Sequence, residues 1–185
     1  MKQTSSLLDL LLEAQNLDRL PRTGYAMRGV TDPESISEHC WQLSFLVWTL
    51  AAEIDGLDAG RALELALIHD LGEVRIGDLP RSFAHYFPPG TKNAAESAAA
   101  EDLLAPVGKR GQEAFAEFQA GETSEARLVK ACDRLQLLIK VESYARQGNG
   151  DLSDFERARE NFDDGGFEAV RRLYEALVER HRAEK

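Results

Sequence analysis

Apolar residues recur along this chain at intervals of three and four, and seldom at two. That period predicts helices. A first amphipathic helix follows Ser5 and Ser6, carries Leu7, Leu8, Leu10, Leu11 and Leu12, and ends near Asn16. A second opens at Ser35, where Ser35 and Glu38 have capping-box spacing, and its stripe is Leu43, Leu46, Val47, Leu50 and Ile54. Asp58 caps a third, in which Leu63, Ala66, Leu67 and Ile68 fall on more than one face, as in a central, buried helix. Gly72 and Gly77 loosen the next segment, and Pro80 begins a short helix. Further helices are expected over 94–107, stopped near Pro106, and over 111–121, closed by Gly121. A long one covers 123–148, with its cap at Ser124 and its end at Gly148, and an amphipathic one with late cations covers 167–185. Residues 73–77, EVRIG, are a weak strand candidate. Residues 18–35 form a long irregular segment punctuated by Arg19, Arg22 and Arg28, and connections of that length are often functional. The expected architecture is one all-α domain over 1–185, with the C-terminal helices of 153–185 packed on the rest.

Composition narrows what such a domain can do. The 185 residues suffice for a real core, and a formal net charge of −10 argues against polymeric nucleic acid, which needs a positive field. A small phosphorylated substrate stays open, because a bound cation and a few arginines can reverse the local sign. The two cysteines, Cys40 and Cys132, do not make a disulfide framework, and a reducing, cytoplasmic compartment fits them. The N-terminal stretch holds Glu and Asp among its leucines and reads as a helix rather than a signal peptide. No apolar run reaches membrane-spanning length, so no membrane partner is expected.

The chemistry gathers around His69 and Asp70, which end the apolar run LELALI. Alone, that pair reads as a helix-end histidine with a solvated aspartate. Three further features favour a metal. His39 lies in the first turn of an apolar helix; Asp133 shares a helix face with Val129 and Leu137; and Glu73 and Asp78 follow closely. An unpaired carboxylate on an apolar face is costly, and a cation resolves it. Two imidazoles and two carboxylates suit one divalent ion with positions left for water or substrate. Such an ion makes hydroxide available near neutral pH, and Glu73 and Asp78 can handle protons, so hydrolysis of a phosphate ester is the expected reaction. Other residues have blander readings. Trp41 and Trp48 are expected in the core or at a dimer interface, His85 in an exposed loop, and His181 in solvent.

The segments RLPRTGYAMRGV, PESISEH, ALIHDLGEVRIGDLP and LVKACDRLQ, spanning about residues 19–140, together resemble the HD-domain superfamily of metal-dependent phosphohydrolases. The likeness is to its 5′-deoxynucleotidase branch. That resemblance implies an all-α HD-domain bundle, usually a homodimer, acting on a small nucleotide. It implies His39, His69, Asp70 and Asp133 as ligands of one divalent metal (Mn, Co, Mg, Zn or Fe), Glu73 and Asp78 as catalytic residues, and Arg19 as the phosphate ligand. Leu20, Leu79, Pro80 and Arg81 are the remaining candidate substrate contacts, Arg81 either as a second phosphate contact or as a solvated helix residue. Leu20 stands where the bacterial form has tryptophan, so strict deoxyribose selectivity is not implied. Two other readings remain open here: hydrolysis of guanosine polyphosphates, cyclic nucleotides or triphosphates at the same metal, and a non-catalytic helical scaffold with a structural metal.

Overall fold

The computed structural model describes residues 2–183; the side chains of residues 2–5, 81 and 84 lie outside the described part. Helix α1 (Lys2–Ala14) runs into a 3-10 turn (Gln15–Arg19), and α2 (Thr23–Ala26) is a single turn inside the irregular segment. Then follow α3 (Ile36–Ala51), α4 (Ala59–Ile68), the short α5 (Glu73–Ile76) and a 3-10 turn (Arg81–Tyr86). The chain continues through α6 (Thr91–Leu104), α7 (Lys109–Ala120), α8 (Ser124–Arg146), α9 (Glu156–Glu160) and α10 (Glu168–Ala183). No strand occurs among the described residues; one isolated antiparallel bridge joins Pro21 to Ser35.

Local chemistry explains most boundaries. At α3 the Ser35 hydroxyl accepts from the Glu38 amide while the Glu38 carboxylate accepts from the Ser35 amide, the reciprocal cap its spacing predicts. Asp58 caps α4 by accepting from the Arg61 amide. The cap of α8 is Thr123, whose hydroxyl accepts from the Ala126 amide, and not Ser124, which is already the first helical residue. The EVRIG segment is a turn of helix. The Glu73 amide donates to the Asp70 carbonyl, and Gly77, at φ 73°, ends the turn in a conformation that disfavours a side chain.

The main core joins α3, α4 and α8. Leu43, Val47 and Leu50 meet Ala62, Leu65 and Ala66 and the α8 face of Leu128, Val129, Cys132 and Leu135, with Ala169 and Val170 of α10 closing it. Each fully buried leucine contributes about 2 kcal/mol from apolar burial. These three helices bring residues far apart in sequence to one end of the core, which is where the candidate ligands lie. Trp41 and Trp48 are not core residues: they are 67% and 58% exposed and flank Phe45 in an aromatic row along the outer face of α3. No helix among the described residues is long and apolar enough to cross a membrane.

Candidate active site

The expected ligands come from three positions in the bundle. His39 stands in the first turn of α3, completely buried. His69 is the C-cap of α4 and Asp70 follows it in the turn, so the helix stops where the chemistry starts. Gly72 lets this turn lie against α6, since a Cβ there would sit 2.9 Å from the Glu96 carbonyl oxygen. Asp133 lies near the middle of α8, among the buried Cys132 and Leu135.

Their donor atoms converge. His39 Nε2 and His69 Nε2 face each other at 3.2 Å. Asp70 Oδ2 lies 3.1 Å from His69 Nε2 and 3.5 Å from His39 Nε2, and Asp133 Oδ1 lies 3.2 Å from His39 Nε2. His39, His69 and Asp70 form the compact trio, with Asp133 at its edge on the His39 side.

The other ring nitrogens decide what these atoms can do. His69 Nδ1 is 2.8 Å from the Ala66 carbonyl oxygen, which can only accept, so Nδ1 carries the proton. His39 Nδ1 is 2.8 Å from Gln136 Oε1. Both imidazoles therefore turn an Nε2 lone pair toward the other ring and toward two carboxylates. Lone pairs at that separation repel unless a cation or a proton lies among them. In the protein alone a proton takes the part: burial would lower the His69 pKa, but the Asp70 carboxylate outweighs it and holds the ring well above its ordinary range. Burial likewise opposes ionisation of Asp70, and His69 and Arg22 overcome it and keep Asp70 charged. Asp133, against the same opposition from burial, is brought down to about 2 by its hydrogen bond with His39. A nitrogen- and oxygen-donor set of this kind fits a divalent cation.

Around the trio the charge balance is acidic. Arg22 donates to Asp70 Oδ2 at 3.1 Å and lies 3.9 Å from Asp78 Oδ1. Burial disfavours its charge, yet Asp70, Asp133 and Asp78 keep the guanidinium fully protonated. Asp78 Oδ2 accepts from the Thr23 amide at 2.7 Å, tying the GDLP loop to α2. Glu73 is buried, and its Oε2 has no hydrogen-bond partner. Burial, then Asp70 and Asp78, push its pKa up to about 9.

Not every expected residue reaches this cluster. Glu73 is not part of α4, which ends at Ile68; it is the first residue of α5. Arg19 ends its 3-10 turn exposed, whereas Arg22, which the sequence does not single out, is the arginine against the carboxylates. Leu20 packs with Leu17, Ile36 and Cys40, and its carbonyl accepts from the Ile36 amide. Leu79 offers its carbonyl to Lys92 at 2.8 Å, and Pro80 offers its own to the Phe83 amide. The Arg81 side chain lies outside the described residues. Glu34 and Gln136 were missed. Glu34 hides in PESISEH directly before the cap, and Gln136 is a lone amide one turn beyond Asp133 on a face of buried residues, which was the available signal.

The HD domain family profile matches residues 14–171. The chain belongs to the HD domain family. This HD domain is 31% identical over 157 residues to the 5′-deoxynucleotidase HDDC2 of Mus musculus, covering 82% of the chain and 77% of the relative. A conserved hypothetical protein from Pyrococcus furiosus superposes with a TM-score of 0.80 at 37% identity, covering 95% and 99% of the two chains. A cyanophage S-2L HD phosphohydrolase, DatZ, solved with dA and one catalytic zinc ion, shares the HD fold at a TM-score of 0.62 and 22% identity, covering 91% and 96%.

Proposed function

We propose that this HD domain is a metal-dependent phosphohydrolase that removes the 5′-phosphate from nucleoside monophosphates, deoxy forms included. The activity class rests on relatives such as the mouse 5′-deoxynucleotidase. The observation that carries the reading for this chain is the cluster of two Nε2 atoms and the Asp70 carboxylate, with Asp133 at its His39 edge and the buried Glu73 on the turn that follows.

His39, His69, Asp70 and Asp133 would hold the ion, and their ligand types accept Mn, Co, Mg, Zn or Fe. Bound there, it supplies a Lewis acid for the phosphoryl oxygen and a water of lowered pKa. The protein does the rest. The carbonyl of Ala66 and the amide of Gln136 keep both imidazoles in the tautomer that points Nε2 inward. Arg22 holds Asp70 and Asp78 in place and offsets part of their charge. Glu73, its pKa pushed up to about 9 by burial in the metal-free protein, would exchange a proton with water or the leaving group, and a bound dication would favour its ionised form. Arg19 is the reading's phosphate ligand, with Leu20, Leu79, Pro80 and Arg81 lining the substrate.

The test is release of inorganic phosphate by metal-stripped protein given dAMP, AMP, a deoxynucleoside triphosphate or a guanosine polyphosphate, each with and without added manganese or cobalt. Metal-dependent release from the monophosphates is expected. Release from the polyphosphates alone would move the substrate to another class, and no release with any metal would return the scaffold reading. We also read the chain as a homodimer. It carries two exposed apolar faces for that purpose, Trp41, Phe45 and Trp48 on α3 and Leu8, Leu11 and Leu12 on α1. A monomer mass by light scattering at working concentration would refute the dimer.

A further inference from the structure

Behind His39, on the side away from the other ligands, the Gln136 amide belongs to a longer polar chain whose further members, Glu34 and Lys140, no step above uses. Gln136 is 3% exposed and the Glu34 side chain is fully buried. Gln136 Nε2 lies 3.2 and 3.4 Å from the two Glu34 carboxylate oxygens and 3.2 Å from Gln42 Oε1. A carboxylate only accepts, so the Gln136 amide nitrogen must face Glu34, and its oxygen must face His39. That oxygen accepts at 2.8 Å, so His39 must be protonated on Nδ1 and must present a bare Nε2. Each assignment forces the next, starting from the charge on Glu34.

Glu34 is itself well held. Lys140 Nζ sits 3.2 Å from its Oε2. Its amide donates to the Tyr144 hydroxyl at 2.8 Å, and its carbonyl accepts from the Arg22 amide at 2.8 Å. The Lys140 charge makes burial of this carboxylate tolerable, and the α8 helix supplies Asp133, Gln136, Lys140 and Tyr144 at successive turns of one face.

We propose that Glu34 and Gln136 are positioning residues for the metal site: together they lock His39 in the Nδ1–H tautomer and aim its Nε2 at the cation. The inference rests on the metal reading above and adds to it two residues that touch neither metal nor substrate. Outer partners of ligating histidines typically matter 10–100-fold in metal affinity.

The reciprocal amide and carboxylate allow a swap. Gln136→Glu alone sets a second carboxylate against Glu34, and Glu34→Gln alone releases the amide orientation. The double variant Glu34→Gln with Gln136→Glu restores one donor facing one carboxylate, still accepts from His39, and keeps the net charge of the pair, with the carboxylate moved to the α8 side. Cobalt affinity of metal-stripped proteins, measured by competition with a chromophoric chelator, is the readout, and circular dichroism checks that each variant is folded. Each single variant is expected to bind cobalt at least 10-fold more weakly, and the double variant to recover to within about 3-fold of wild type. Wild-type affinity in folded Gln136→Glu and in Gln136→Leu would overturn the proposal. Weakened single variants with no recovery in the swap would overturn the role of Glu34. Absence of cobalt binding by the wild-type protein would instead defeat the metal reading itself, so the two failures are distinguishable.

Discussion

Two regions of this molecule bury groups of charges, and they do it in opposite ways. At the far end of α8, Glu142 accepts from Arg159 at 3.2 Å and from His181 Nδ1 at 2.8 Å, with Arg146 at 3.5 Å. One carboxylate there meets two arginines and an imidazole from α8, α9 and α10, and His181 Nε2 is also 3.3 Å from Glu156. At the centre around His69 the count runs the other way. Asp70, Asp78, Asp133 and Glu73 share the single guanidinium of Arg22, and Glu73 avoids the conflict by keeping its proton. The first region satisfies its carboxylate with groups from the chain itself and pins the C-terminal helix. The second is built with a surplus of negative charge and inward lone pairs, which is the signature of a site shaped for something from outside the chain.

The largest effect that sharpens this contrast comes from Glu73→Gln. It removes a titratable group without changing shape, so turnover should fall about 100-fold or more while the melting temperature of metal-free protein holds or rises. Unchanged turnover would take Glu73 out of the mechanism. Next in size is Glu142→Ala, which leaves Arg159 buried beside fewer anions. A loss of about 3 kcal/mol in unfolding free energy is expected, with phosphatase activity per folded molecule intact. Lost activity at full stability would break the division between the two regions.

The smallest effect is in the pH dependence of stability, where the two regions pull in opposite directions. Against the opposition of burial, the hydrogen bond from His181 holds Glu142 below the usual carboxylate range. Its contribution is therefore present above the ordinary carboxylate pKa and is lost as pH falls through the lowered one. Glu73 is raised instead, so its folded form binds more protons than its unfolded form, and stability drains as pH climbs from about 4.5 toward about 9. Melting curves of metal-free protein should show the alkaline decline flattened in Glu73→Gln and the acid decline flattened in Glu142→Gln. The same slopes in both variants would mean that neither carboxylate carries its share.

What the sequence made legible, and what it hid, follows from distance along the chain. The caps at Ser35 and Asp58 were readable because their partners lie three residues away. The candidate ligands stand out in the sequence because polar groups on apolar helix faces demand a partner; the structure clusters His39, His69 and Asp70, and sets Asp133 beside His39. His181 read as solvent-exposed near the end of the chain, yet its partner Glu142 lies 39 residues earlier, and no local pattern announces that pairing. Nothing local distinguishes Arg22 from Arg19 and Arg28; its partner Asp70 lies 48 residues later. Trp41 and Trp48 have core chemistry on an outer face, which amphipathic spacing cannot sort when α3 is apolar nearly all round. EVRIG failed as a strand because β-branched residues alone do not make one: no strand exists for it to pair with among the described residues.

The central claim is that two histidines and two aspartates from α3, the end of α4, and α8 hold a single divalent cation. A cobalt titration of metal-stripped protein, followed by visible absorption, tests it most directly. One equivalent should bind in wild type, and Asp70→Asn should lose at least 100-fold in affinity while remaining folded. No saturable cobalt binding in wild type, or undiminished binding in folded Asp70→Asn, would contradict it.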